Sequence, residues 1–304
     1  MGIKRILFKA KRRLMPTIDK WPIEKREKAA IDLYEMRCGY RFDLKKPETF
    51  SEKIIWYKLY YDHPDLGAIV DKYRFKEYIR SKLGDGYTLP LYGAYRSVQD
   101  LRDDWANLPK EFMLKSNLKS DGKFIMHIAD KNRVNQKALW KELSQWLEVR
   151  KTLINSFCKG YYGATPLIIA EAYAENVAGQ LYDYKAYCFG GNPYCICASV
   201  NHFGDEHYPI TYYDTEWNKM DVRSGKHKND DIPAPPHLSQ MLELSRKLSA
   251  EFPFVRVDFF DTPEHLYLAE LTFYPGGGLF QYDPPSFNKT MGDLFILPEC
   301  GDKR

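Results

Sequence analysis

The period of hydrophobic and polar positions changes once along this chain. From residue 22 to residue 83 apolar side chains recur every three or four positions, the spacing of a helix face. Residues 22–37 carry Ile23, Ala30, Ile31, Leu33 and Tyr34 in that pattern, and Pro22 suits a first turn. Thr49 or Ser51 can cap a second helix bearing Ile54, Ile55, Trp56 and Leu59. A third helical stretch runs over 66–83 and stops at Gly84, and 87–95 reads as a short strand. From residue 111 strands and hairpins take over. EFMLKSN and FIMHIA flank the loop KSDGK, and a helix over 134–148 sets Leu139, Leu143, Trp146 and Leu147 on one side. Residues 166–174 form a strand, 183–201 a strand, a Gly-Gly-Asn-Pro turn and a strand, and 237–252 a helix. FVRVDFF and HLYLAELTF are two last strands around a short turn at Asp261–Glu264.

This order predicts an α+β fold and argues against a doubly wound parallel sheet. It divides the chain into a leader over 1–18, a helix-rich region over 19–110, a subdomain over 111–174 and a C-terminal subdomain over 175–304. With 304 residues, 44% of them hydrophobic and 15% aromatic, the chain can bury sizeable cores. Charge changes the picture more. The net charge is +4, yet six of the 45 basic residues (Lys4, Arg5, Lys9, Lys11, Arg12, Arg13) lie in the leader, which holds no acid. Without them 39 basic residues face 41 acidic ones, so a protein basic over its whole surface, and with it nucleic-acid binding, is not expected. Residues 3–15 place Ile3, Ile6, Leu7 and Leu14 at helical spacing among cations, which suits either a tether to anionic lipid or a solvated leader. No apolar run approaches the roughly 20 residues of a membrane span, and the basic start has no apolar signal core. The six cysteines form no CxxC pair, so the expectation is a cytoplasmic protein with reduced thiols, held at most peripherally on the inner membrane face.

Two acids stand out. Asp258 and Glu270 each lie mid-strand among apolar residues, where a bare carboxylate is costly. A divalent cation such as Mg²⁺ would relieve two acids brought together, and a salt bridge from Arg256 would relieve one. Side chains alternate along strands, so Arg256 with Asp258 and Glu270 with Thr272 form two same-face pairs. The two pairs share a face only when the hairpin loop has an odd number of residues, as 262–264 would give. Lysines supply the opposite charge. Lys115 interrupts an apolar strand just before the loop 119–123, Lys72 follows Asp71, and Lys185 opens another apolar strand. Three such cations with a candidate Mg²⁺ pair further on point to a nucleoside triphosphate. No GxGxxG or Walker A motif is present, and no Ser-His-Asp or Cys-His arrangement.

At this point the residues resemble a family. PETFSEKIIWYKLY, VDKYRFKEYI, LPLYGAY, FMLKSN, IIAEAY, DYKAYCFGGNP, YYDTEWNKMDVR and FPFVRVDFF…YLAELTFYPGGG follow in the order and spacing of the TupA-like branch of the ATP-grasp superfamily over about 45–295. The resemblance implies a helix-rich N-terminal region and two α+β subdomains that clasp ATP. It implies that Lys72, Lys115 and Lys185 face the phosphates, that Ser120 and Gly122 belong to a phosphate-covering loop, and that Glu171 through Tyr173 hold adenine and ribose. Arg256 would stabilise the transferred phosphoryl group, and Asp258, Glu270 and Thr272 would hold Mg²⁺; the superfamily often carries Asn where Thr272 stands. The implied activity is carbon–nitrogen ligation through an acyl phosphate, joining an amino acid to a uronic acid of a capsular or other surface polysaccharide or its precursor. His202, Trp217 and Arg223 are candidates for the acceptor: Arg223 could clamp a carboxylate and Trp217 could stack on a sugar, or the two could simply pack a loop. The alternatives are a kinase of the same fold, a glycosyltransferase of polysaccharide synthesis and a non-enzymatic scaffold.

Overall fold

A computed structural model describes residues 20–118, 124–147, 158–174, 181–201, 209–225 and 229–299. They hold eight α-helices: α1 Ile23–Cys38, α2 Phe50–Tyr60, α3 Leu66–Ile69, α4 Lys72–Leu83, α5 Val98–Asp104, α6 Gln136–Trp146, α7 Leu238–Ser249 and α8 Pro285–Leu294. The strands are β1 Leu91–Tyr95, β2 Phe112–Ser116, β3 Ile125–Ile128, β4 Ile168–Glu171, β5 Leu181–Phe189, β6 Asn192–Asn201, β7 Ile210–Tyr213, β8 Arg223–Ser224, β9 Phe254–Asp261, β10 Leu266–Thr272 and β11 Tyr282–Asp283. The chain divides into two compact units with interleaved segments. One takes the described residues of 20–29, 64–78 and 90–173, the other those of 30–63, 79–89 and 174–299.

The first unit is a four-stranded antiparallel sheet in the order β1-β4-β2-β3. Alternation sends Phe112, Leu114, Ile128, Ile168 and Ala170 to one face, where they pack on Leu101, Trp105, Leu139, Trp140, Leu143 and Trp146 from α5, α6 and their flanks. The amphipathic reading of 134–148 is the reason α6 lies there. The opposite face of this sheet carries Met113, Lys115, His127, Ile169 and Glu171. The helical stretch expected over 66–83 is broken at Val70–Asp71. There the Asp71 carboxylate accepts from the backbone N–H groups of Tyr73 and Arg74, so it caps α4, and it also accepts from the buried Asn117 amide at 2.9 Å.

The second unit is a five-stranded antiparallel sheet, β10-β9-β5-β6-β7. Its back face, with Ala186, Ile196, Val257 and Phe259, is buried beside Met241, Leu244 and Leu248 of α7. One end of the front face is covered by α2. Phe50 packs edge-on to Phe254 at 4.9 Å and against Tyr187 and Phe189, and the Tyr57 hydroxyl donates to the Phe254 carbonyl. α2 begins with a capping box formed by Thr49 and Glu52. It is pinned to α8, since Lys53 Nζ donates to the Gly292 and Phe295 carbonyls at 2.8 Å each, satisfying the end of that helix. After β10 the chain turns back through Gly276, Gly277 and Gly278, all at positive φ, and the Gly277 carbonyl accepts from Lys58 Nζ. β7, the β8–β11 ribbon and α8 have no counterpart in the sequence reading.

The expected odd-residue loop between β9 and β10 is not what the chain uses. Asp261 pairs with Leu266, which leaves a four-residue turn closed by Thr262 and His265. A β-bulge between Leu268 and Glu270 supplies the missing residue, and Glu270 comes opposite Asp258. The two same-face pairs therefore do share a face.

Candidate functional site

On the front face of the second sheet, adjacent strands line up their side chains in rows. One row runs Glu270, Asp258, Lys185, Cys197, Tyr212 across all five strands. The next runs Thr272, Arg256, Tyr187, Cys195. Because the Phe254 end of β9 is sealed by α2, Arg256 and Asp258 are the first polar side chains beyond an aromatic floor.

Arg256 grips Asp258 with two bonds, Nε to Oδ1 at 2.7 Å and Nη2 to Oδ2 at 2.5 Å. The same Nη2 donates to the Thr272 hydroxyl at 3.2 Å and lies 3.6 Å from Glu270 Oε1. Thr272 in turn donates to Glu270 Oε1 at 2.7 Å. Burial pushes the Asp258 carboxyl up to about 6, Arg256 pulls against that, and Glu270 adds to it. Lys185 follows Asp258 in that row. Its Nζ donates to Ser199 Oγ at 2.9 Å and pairs with Asp183 at 3.2 Å. Burial works to lower Lys185, but the carboxylates of Asp183 and Asp258 outweigh it and hold the ammonium above its ordinary value.

Two carboxylates facing each other across a strand pair, with a hydroxyl next to them, are hard oxygen donors of the kind Mg²⁺ takes. Among the described residues no group of three or more His, Cys, Asp and Glu could hold a metal alone. Such a pair suits a metal that takes its remaining ligands from substrate oxygens and water. The donor chemistry thus fits a hard divalent cation.

The first unit gathers a second charged cluster. Lys115 and Glu171 lie diagonally across β2 and β4 on the face away from α6, and they form an ion pair. Lys76, one turn past Lys72 in α4, reaches Glu171 at 2.8 Å. Burial raises the Glu171 carboxyl, but Lys115 and Lys76 outweigh it and hold it at about 2. The Glu171 side chain thus clamps two lysines. Tyr173 stacks on His127, with ring centroids 4.0 Å apart.

Sequence reasoning named Lys115 and Glu171 but missed Lys76, whose only signal was its spacing of four from Lys72 on a helix. It also missed Asp183 and Ser199. Arg223 lies exposed on the ribbon strand β8, paired across from Asp283. Trp217 is not brought to the charged face. It stacks on Tyr213 at 4.1 Å beside Tyr184, and both tyrosines belong to back-face rows, so the odd parity of Tyr213 in β7 decides the matter. Ser120, Gly122, His202 and the leader with residues 3–15 lie outside the described residues.

The family model described as TupA-like ATPgrasp matches residues 52–296. No curated protein matches. Among solved structures, D-alanine–D-alanine ligase from Bacillus anthracis is 16% identical, with a TM-score of 0.47, covering 76% of this chain and 67% of that one. Carboxyaminoimidazole ribonucleotide synthase from Aspergillus clavatus, complexed with ATP, is 15% identical, with a TM-score of 0.39, covering 68% and 45%. The biotin carboxylase domain of the Hydrogenobacter thermophilus 2-oxoglutarate carboxylase, in complex with MgADP, ADP and bicarbonate, is 14% identical, with a TM-score of 0.41, covering 68% and 40%. This chain therefore spans less than half the length of two of these three.

Proposed function

This chain belongs to the TupA-like ATP-grasp family, and from that premise we propose that this ATP-grasp enzyme is a Mg·ATP-dependent carboxylate–amine ligase. Its substrates are a uronic acid of a surface polysaccharide, or of its precursor, and an amino acid. The observation that carries the reading is the Arg256–Asp258–Glu270–Thr272 cluster, two buried-strand acids held face to face by one guanidinium. Asp258 and Glu270 hold the cation, with Thr272 fixing the Glu270 carboxylate. A Mg²⁺ ion held by Asp258 and Glu270 would supply charge neutralisation and Lewis acidity at the phosphates. Arg256 and Lys185 stabilise the negative charge that develops during transfer. The acyl phosphate that forms on the uronic acid is then opened by the amine. No enzyme nucleophile is required, so positioning and exclusion of water are the protein's share.

ADP release measured over a panel of uronic acids crossed with amino acids tests this. The ligase reading expects ADP only when both partners are present and in step with amide. ADP formed with no amine, leaving a stable phosphorylated product, would make the protein a phosphotransferase instead.

A tether completes the proposal. Among the described residues no helix is long and apolar enough to cross a membrane. The six cations of 1–18 and the apolar positions of 3–15 suit anionic lipid, beside which lipid-linked glycans are built. Deleting residues 1–15 is expected to release the protein from anionic vesicles in a sedimentation assay while ATP turnover stays. Retained sedimentation would remove the tether from the account.

A further inference from the structure

An amine acceptor arrives at neutral pH as an ammonium ion, and it cannot attack until it loses a proton. The front face of the second sheet carries three carboxylates among its described residues: Asp183, Asp258 and Glu270. Two are engaged. Asp258 is gripped by two guanidinium bonds and its side chain is 8% exposed, and Glu270 is fixed by Thr272 and faces the same guanidinium. Asp183 is placed differently. It pairs across the strands with Ser199 and Phe260, is held at one oxygen by Lys185 at 3.2 Å, and keeps 24% of its side chain exposed. Its neighbour Ser199 is buried and takes the Lys185 ammonium at 2.9 Å, so Lys185 is steadied from β6 as well as from Asp183.

We infer that Asp183 is the carboxylate that receives the acceptor amine and takes its proton. The inference rests on the ligase reading and adds the acceptor subsite to it. The step balances as follows. The R–NH3⁺ group gives one proton to the Asp183 carboxylate. The freed nitrogen lone pair attacks the acyl carbon, the carbon–oxygen bond to phosphate breaks, and its electron pair leaves with the phosphate. The second nitrogen proton goes to the departing phosphate as the tetrahedral species collapses, and Asp183 returns its proton to solvent. Lys185, with its ammonium between Asp183 and the Asp258 row, ties the proton acceptor to the phosphoryl end of the same face.

A plainer role is that Asp183 only positions Lys185. Hydroxylamine separates the two, because it is uncharged at neutral pH and attacks acyl phosphates without help. The full chain and its Asp183→Asn and Asp183→Glu variants are assayed with Mg·ATP, the uronate that turns over in the panel, and either hydroxylamine or the matching amino acid. Asp183→Asn is expected to keep hydroxamate formation within about tenfold of wild type, the loss of one Lys185 contact. Its amide formation falls by about 100-fold or more, the range that loss of a general base covers, and ADP then exceeds amide. Asp183→Glu restores part of the amide rate. If hydroxamate and amide fall together in Asp183→Asn, or if neither falls, the inference is overturned while the ligase reading stands. If the wild-type protein itself yields no hydroxamate, the ligase reading fails first and takes the inference with it.

Discussion

Asp258→Asn is expected to weaken Mg·ATP binding and to cut ATP turnover by about a thousandfold, equivalent to about 4 kcal/mol of lost transition-state stabilisation. The substitution keeps the shape of the side chain and removes one charge. What changes is therefore electrostatic. The donor pair falls from two anions to one, while Arg256 keeps an oxygen to bind. In the intact protein Arg256 spends its two best bonds on Asp258, at 2.7 and 2.5 Å, and stands 3.6 Å from Glu270. With Asn in place Glu270 is the carboxylate left beside Arg256, so the guanidinium and the cation compete for it. Isothermal titration of ATP with and without Mg²⁺ reads the first effect, and ADP release reads the second. The expected signature is loss of the Mg²⁺-dependent part of the affinity. Turnover within about tenfold of wild type would contradict a metal role for this pair.

Glu171→Gln is expected to lower the stability of the first unit by about 3–5 kcal/mol, the usual cost of removing one partner from a buried ion pair. Lys115 and Lys76 would then both lose the carboxylate that they share. The pH dependence follows from the direction of the shift. A carboxyl whose folded pKa lies below its unfolded value stabilises the fold above the unfolded value. It gives that up as pH falls toward the folded one. For Glu171 the window runs from 4.5 down to about 2, and the amount at stake is about 3 kcal/mol. Wild-type melting temperature should fall steeply through that window, and the Glu171→Gln variant should fall less because it has no such carboxyl to protonate. ATP supplies a second reading. If its phosphates bind these lysines they replace the missing anion, so ATP should raise the melting temperature more in the variant than in the wild type. Equal melting of the two proteins at pH 7 would show that the clamp contributes nothing.

How much of this was legible in the sequence depends on whether local rules were enough. The face shared by Arg256 and Asp258 was legible, because alternation within one strand needs no tertiary information. So were Lys115, a lone charge in an apolar strand, and the helix α6, whose apolar stripe has a 3.6-residue period; Glu171 came only with the family resemblance, which gave it to adenine and ribose. The relation between Asp258 and Glu270 was legible only as a condition on parity. Parity was supplied by a bulge that no residue type announces. Trp217 could be read either as a sugar platform or as packing for its own loop, because a tryptophan between Glu216 and Asn218 suits both. Its face was set by the pairing of β7 with β6, a long-range fact. Lys76 and Asp183 were passed over because each is ordinary in its own segment and acquires meaning from a neighbour on another strand or helix.

The bulge beside Ala269 has a consequence for anyone rebuilding this protein. The bulge alone sets the face of Glu270, since Leu266, Tyr267 and Leu268 pair in one register and Glu270, Leu271 and Thr272 in the next. A β10 straightened with its sequence unchanged would put Ala269 opposite Asp258, rotate Glu270 and Thr272 into the apolar layer against α7 and bring Leu271 out beside Arg256. The turn can thus be regrafted at any length that keeps Asp261 opposite Leu266, whereas β10 cannot be straightened without moving Glu270.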